Sequence, residues 1–258
     1  MFSPNIIIIL SRASDSGNVG AVCRAMKNMG LSRLRMVSPG PMDEKTIISR
    51  AIHAADVWEN ARFFDSLAEA SADCSLLVGT TRRRGRKRKN ITMEPRTLAS
   101  WLAGRGILNP AHDGIAPAAL VFGNERTGLE DSELDLCDAA SHIPVSDDFP
   151  SLNLSHAVQI YAYELFLAAG GNGDRPKSAS VKGEWTPMER QKVDALTSSI
   201  TDTLAGLGFY KNPGREEQTR FLRDMISRAG LTEREGQYLA KIFAKAARLG
   251  SRLSISDE

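Results

Sequence analysis

Arg24, Glu125, Ser151 and Asn153 stand where apolar runs give way to helical patterns, in blocks covering residues 17–24, 123–129 and 151–159. In an open α/β sheet, ligands bind beyond the carboxyl ends of the strands, so three such junctions in one chain suggest one composite pocket. The residue types suit anion handling and proton chemistry. An arginine on the first turns of a helix leans back toward the strand ends, where it can clamp a phosphate or sit against a hydroxyl losing its proton. A surface arginine paired with a carboxylate fits the same position.

The second block runs from the apolar Ala119-Leu120-Val121-Phe122 straight into Gly123, leaving the Glu125 carboxylate just past a buried strand. It is not a nucleotide P-loop, because Gly128 is followed by Leu129-Glu130 rather than Lys-Ser/Thr. Helix capping by Glu125 and Thr127 fits the same spacing. In the third block a rigid Phe149-Pro150 turn precedes Ser151 and Asn153, and a helix from Leu154 offers free backbone N–H groups suited to a carboxylate or phosphate. His156 reads as a packing or capping residue. In the first block, residues 14–18 read as a turn in which glycine admits a close backbone approach.

A dense cationic run, Arg82, Arg83, Arg84, Arg86, Lys87, Arg88 and Lys89, follows the strand expected to end at Gly79. Such a run neutralises several phosphates and makes binding steeply salt-dependent. No aromatic residues interleave it, so it would position a nucleic-acid backbone rather than stack bases. The net charge of the 258 residues is only +2, so affinity for polyanions must come from this local cluster.

The elements that must position these groups follow a parallel-sheet pattern. Nearly continuous apolar runs predict buried strands at 6–10, 34–37, 75–78, 120–123 and 142–145. Helices are expected over 19–29, ended by Gly30, and over 44–55, 95–103, 131–137 and 154–168. Val158, Tyr161, Ala162 and Leu165 form the core face of the last. Glycine, Ser and Asn dominate 170–180, the composition of a flexible linker. Three amphipathic helices beyond it carry Val193, Leu196 and Ile200, then Phe221, Leu222 and Ile226, then Tyr238, Ile242 and Phe243. So small a unit is expected to dock on the first domain or on a partner subunit.

Cys23, Cys74 and Cys137 are few, odd in number and widely spaced, which argues against disulfides and a cysteine zinc site. Residues 6–10 are too short to span a bilayer and lack the features of a signal peptide, so a cytoplasmic protein without membrane partners is expected.

Taken as a set, Asn18-x-Gly20-x-x-x-Arg24-Ala25-x-x-x-x-Gly30, Val121-Phe122-Gly123-x-Glu125-x-x-Gly128-Leu129 and Ser151-Leu152-Asn153-Leu154-Ser155-x-Ala157 resemble the three motifs of the SPOUT (TrmH-type) RNA 2′-O-ribose methyltransferases. The resemblance extends over essentially the whole chain, and it is strongest to members acting on cytidine or uridine at the first anticodon-loop nucleotide of tRNA, position 32. It implies an α/β fold, a mostly parallel sheet covered by helices with a trefoil knot on its carboxyl-terminal side, followed by a small all-helical extension. The divisions implied are 1–169 for the methyltransferase domain, 170–187 for the linker and 188–258 for the helical domain.

The same resemblance implies S-adenosylmethionine as methyl donor, no metal, a homodimer and tRNA as partner. By motif match, Thr80, Thr81, Arg82, Gly123, Ile143, Pro150, Ser151 and Leu152 would hold the donor. Arg24 would carry catalysis with Asn18, Glu125, Ser151 and Asn153 around it, and Arg24 of one subunit would approach the donor site of the other. Asn124 departs from the arginine that many members carry there, and the basic run is denser than theirs. A ribosomal RNA methyltransferase of the same fold and a non-enzymatic RNA-binding protein are the alternatives. The early strand at Ile6 leaves little room for the amino-terminal RNA-binding domain common in the former, and the latter has no need of Ser151, Asn153 and Glu125 together.

Overall fold

The computed structural model describes residues 5–82, 92–109, 115–171, 186–210 and 214–253. Seven parallel strands form one sheet in the order β3-β2-β1-β6-β4-β7-β5. The strands are β1 (Ile6–Ser11), β2 (Arg33–Val37), β3 (Arg62–Phe64), β4 (Leu76–Thr80), β5 (Thr92–Met93), β6 (Ala118–Phe122) and β7 (Ala139–Ser141). Side chains alternate faces along a strand, and β1 is apolar on both. Ile6, Ile8 and Leu10 enter one core with Val22, Met26, Val158 and Leu165, whereas Ile7 and Ile9 enter the other with Leu67, Leu77 and Leu134. Burial on both faces is why this run reads as continuous rather than alternating.

Parallel pairing sets the carboxyl ends level: Ser11 lies opposite Val37, Leu10 opposite Phe122, Gly79 opposite Val121 and Thr80 opposite Ser141. The loops bearing all three blocks therefore leave one rim of the sheet.

The strand expected at 142–145 is instead β7, three residues earlier. Ala139, Ala140 and Ser141 have little intrinsic strand preference, but they are fully buried between β4 and β5, and that packing overrides propensity. The apolar Ile143 and Val145, which prompted the expectation, leave the sheet to line a cavity. The expected helix over 44–55 is also divided. It forms α2 (Glu44–Ala51), a single 3-10 turn at Ile52–Ala54, and α3 (Ala55–Glu59). Ile52 takes a left-handed conformation with φ 56°, after which Ala54, Val57 and Trp58 rejoin the core.

Helix α1 (Ser16–Asn28) starts earlier than expected, because the Asp15 side chain accepts the Asn18 amide at 2.6 Å and caps it. The expected turn at 14–18 is thus half helix. Gly20 serves packing: a Cβ there would overlap the Ile47 carbonyl of α2. Helices α4 (Leu67–Ala70), α5 (Pro95–Gly104), α6 (Asp131–Leu136) and α7 (Leu154–Ala168) complete the layers.

Residues 172–185, which include most of the expected linker, lie outside the described residues. Helices α8 (Arg190–Gly206), α9 (Gly214–Ala229) and α10 (Glu233–Leu253) follow, and Met188, Val193, Leu196, Ile200 and Ile226 form their own small core. They dock on the sheet domain through a buried ion pair, Arg190 Nη1 to Asp138 Oδ2 at 2.8 Å. Asp138 Oδ2 also accepts the Leu77 amide at 2.8 Å, and Arg223 donates to the Asp135 carbonyl at 2.7 Å. Cys23, Cys74 and Cys137 are buried and unpaired with one another, and burial pushes the Cys23 and Cys74 thiols up to about 12. Among the described residues no helix is long and apolar enough to cross a membrane.

Candidate active site

A cavity of about 450 Å³ opens at the rim where β4, β6 and β7 end. Its floor is apolar, from Phe122, Leu129, Ile143, Leu154 and Tyr161, and its walls come from the loops after β4, β6 and β7. Thr80, Thr81, Arg82, Gly123, Ile143, Pro150, Ser151 and Leu152 all line it, and so does Glu125. Volume and lining suit a ligand with one flat apolar part and several polar groups.

Hydrogen bonds fix the floor. Thr80 Oγ1 donates to the Val121 carbonyl at 2.9 Å, and the Thr81 amide donates to the Ser141 carbonyl at 2.9 Å. The Tyr161 hydroxyl donates to Ser141 Oγ at 2.9 Å while its ring meets Phe122 edge-on, with centroids 5.5 Å apart. Burial raises the Tyr161 phenol above its ordinary value, so it acts as a fixed neutral donor.

After β6, residues 124–128 fold into a closed turn, with the Gly128 amide donating to the Asn124 carbonyl at 2.8 Å. Gly128 has φ 70°, and a Cβ on Gly123 would overlap the Gly128 backbone. Both positions therefore demand glycine. Glu125 and Thr127 cap no helix; α6 is capped by Glu130 in a capping box with Glu133. The Glu125 carboxylate accepts from the Ser14 amide and hydroxyl and from the Asp15 amide, at 3.1 to 3.3 Å.

At the third block the Asn153 side chain caps α7, accepting the Ser155 amide at 2.9 Å. Its Nδ2 donates to Asn18 Oδ1 at 2.8 Å, joining the third block to the first. His156 neither packs nor caps: it is exposed. Arg24 is exposed on α1 and is not among the residues lining the cavity, and it makes no ion pair with a described residue. Of the basic run, Arg82 lines the cavity; Arg83, Arg84, Arg86, Lys87, Arg88 and Lys89 lie outside the described residues.

Residues 5–163 of this chain match the SpoU rRNA Methylase family. The chain belongs to the SpoU methylase family. The tRNA (cytidine/uridine-2′-O-)-methyltransferase TrmJ of Escherichia coli K12 is 36% identical over 244 residues, spanning 93% of this chain and 94% of that protein. TrmJ of Pectobacterium atrosepticum is likewise 36% identical, over 87% of this chain and 89% of its own. Among solved structures, TrmJ from Z. mobilis ZM4 superposes with a TM-score of 0.69 at 28% identity, over 93% of this chain and 98% of that one.

In this SpoU methylase the cavity's walls are held by residues that no sequence motif marks. Arg12, just past β1, takes φ 55°. Its guanidinium reaches Glu133 Oε2 at 2.6 Å, Glu130 at 3.1 Å and the Gly128 carbonyl at 3.0 Å. Burial alone would raise the Glu133 carboxyl, but bonds from Arg12, Ser11 and the Glu130 amide outweigh it and hold the group below its ordinary value. Asn124, the departure noted in the motif, donates to the Arg12 carbonyl at 2.7 Å. No spacing rule links positions 12, 124 and 133, since only the pairing of β1 with β6 brings them together.

Proposed function

We propose that this protein transfers a methyl group from S-adenosylmethionine to a ribose 2′-hydroxyl of tRNA, at cytidine or uridine of the first anticodon-loop nucleotide, position 32. One observation carries the reading. The residues that motif matching assigns to the donor come from three separate loops and line one cavity, in a chain 36% identical over 93% of its length to a tRNA 2′-O-methyltransferase.

The cavity fits the donor by its own construction. The closed turn has no room for a side chain at Gly123 and a left-handed backbone at Gly128, so it presents bare backbone, while Phe122, Ile143 and Leu154 supply an apolar bed for a flat ring. When bound, the donor supplies an electrophilic methyl on a sulfonium. The protein must then hold and activate a poor nucleophile. Arg24 places a permanent cation against the ribose hydroxyl and stabilises the negative charge that develops as its proton passes to solvent water. Ser151, Asn153 and Asn18 orient the ribose, and alignment supplies much of the rate. Glu125 acts by fixing residues 14 and 15 at the start of the helix that bears Arg24. No metal takes part.

Arg24 serves the cavity of a partner subunit, which makes the enzyme a homodimer; its exposure and its place outside its own chain's cavity lining support this. Exposed Phe149, Leu152, Tyr163 and Leu167 give the partner an apolar surface beside the cavity. The insertion of β7 between the earlier strands β4 and β5 supports a trefoil knot. Residues 1–169 form the methyltransferase domain, 170–187 a linker and 188–258 a helical domain, and the basic run at 82–89 holds the tRNA backbone in the cytoplasm.

Calorimetry with S-adenosylmethionine, followed by transfer of labelled methyl to unmodified tRNA, tests this. Binding heat and ribose-linked label are expected. Absence of heat would mark a pure RNA binder, and label on a base would refute the ribose assignment.

A further inference from the structure

We propose that Arg12 is the positioning residue that sets the shape of the 123–128 turn and, through it, the protein's affinity for the methyl donor; the second half of this rests on the cavity's being the donor site.

Arg12 sits in the left-handed region at φ 55°, which a long side chain occupies only where its surroundings over-determine it. The bonds that do so are visible. Its amide donates to the Val37 carbonyl at 2.8 Å, which ties it to β2. Its carbonyl, turned by the unusual φ toward the neighbouring loop, accepts Asn124 Nδ2 at 2.7 Å. Its guanidinium donates to the Gly128 carbonyl at 3.0 Å. One residue therefore grips the turn at both ends, Asn124 and Gly128, and the turn's own bond joins those same two residues.

The guanidinium is itself held. Glu133 takes it in a two-pronged pair, Nε to Oε1 at 3.2 Å and Nη2 to Oε2 at 2.6 Å, and the Glu133 side chain is only 12% exposed. Such a forked pair fixes orientation as well as distance. Arg12 does not line the cavity, so any effect on the ligand passes through the turn. The turn can transmit it, because the Gly128 amide is bonded to the Asn124 carbonyl and Gly123 faces the Gly128 backbone with no space for a Cβ between them.

The test uses the full chain. Arg12→Asn removes the guanidinium while keeping a residue type that tolerates the left-handed backbone. Arg12→Lys keeps the charge but loses the planar fork. Exchange of the Gly128 amide is followed by NMR without donor, S-adenosylmethionine binding is measured by calorimetry, and donor KM and kcat are measured separately. In Arg12→Asn, Gly128 exchange should quicken and the donor dissociation constant and KM should rise, each about ten-fold, as expected for loss of the charged hydrogen bond that reaches the turn at Gly128, with kcat at saturating donor within about two-fold. Arg12→Lys should recover part of both. If Arg12→Asn does not fold, Arg12→Lys against wild type carries the same comparison.

Unchanged Gly128 exchange in a folded variant overturns the proposal, and so does a fall in kcat with donor affinity unchanged. A wild-type protein that binds no donor, while Gly128 exchange still quickens in the variants, overturns the donor-site reading but leaves the clamp standing.

Discussion

The Glu125 carboxylate accepts both the backbone amide and the hydroxyl of Ser14, at 3.2 and 3.1 Å, and so binds the loop after β6 to the start of α1. A group saturated by donors from a neighbouring loop is placed to hold structure rather than to accept a substrate proton. Glu125→Gln puts an amide NH₂ against one of those donors and should cost about 1–2 kcal/mol, measured by urea unfolding. The pH–rate profile should keep its shape. Loss of the limb on the acidic side, where a general base becomes protonated, would show that Glu125 is the base.

Arg24 makes the opposite case. Exposed and without an ion pair to a described residue, it contributes little to the fold, so Arg24→Ala should change stability by no more than about 0.5 kcal/mol. Donor binding by calorimetry should persist while methyl transfer falls by about a hundred-fold or more, the scale of a lost electrostatic activator. Weakened donor binding would place Arg24 in the donor site instead.

The helical unit is secured by a charge pair that water does not reach. Arg190→Met leaves Asp138 buried and uncompensated, which should cost about 3–5 kcal/mol by urea unfolding. Adding Asp138→Leu should recover part of this, but not all, because Asp138 also accepts the Leu77 amide. Full additivity of the two losses would contradict the pairing.

Acid should weaken the fold through Asp73. Its hydrogen bond from Arg35 holds the carboxyl below the ordinary 3.8. A depressed folded value gives a contribution that is complete above 3.8 and is lost as pH falls from there through the folded value. Unfolding free energies of wild type and Asp73→Asn should therefore differ at pH 7 and draw together as pH falls below 3.8; a constant difference would contradict the assignment.

The central elements were legible because their burial is written in composition. The isoleucine run of β1 and the face Val158, Tyr161, Ala162 and Leu165 of α7 lie where apolar continuity and helical spacing predict. The loop blocks were legible because glycine and asparagine there answer strict backbone demands, at Gly123, at Gly128 and at the Asn153 cap. Strand β7 was misplaced because two alanines and a serine become a strand only through burial between neighbours. The edge strands β3 and β5, three and two residues long, are too short for periodicity to register. The Arg12 clamp and the Arg190–Asp138 pair join positions far apart in sequence, and the fold alone brings them together.

The central claim is tested most directly by nucleoside mass spectrometry of unmodified tRNA incubated with the purified protein and S-adenosylmethionine. The account predicts 2′-O-methylcytidine or 2′-O-methyluridine, mapped to the first anticodon-loop nucleotide and absent with Arg24→Ala. Base-methylated nucleosides, or no ribose methylation on any tRNA in a complete cellular pool, would contradict it.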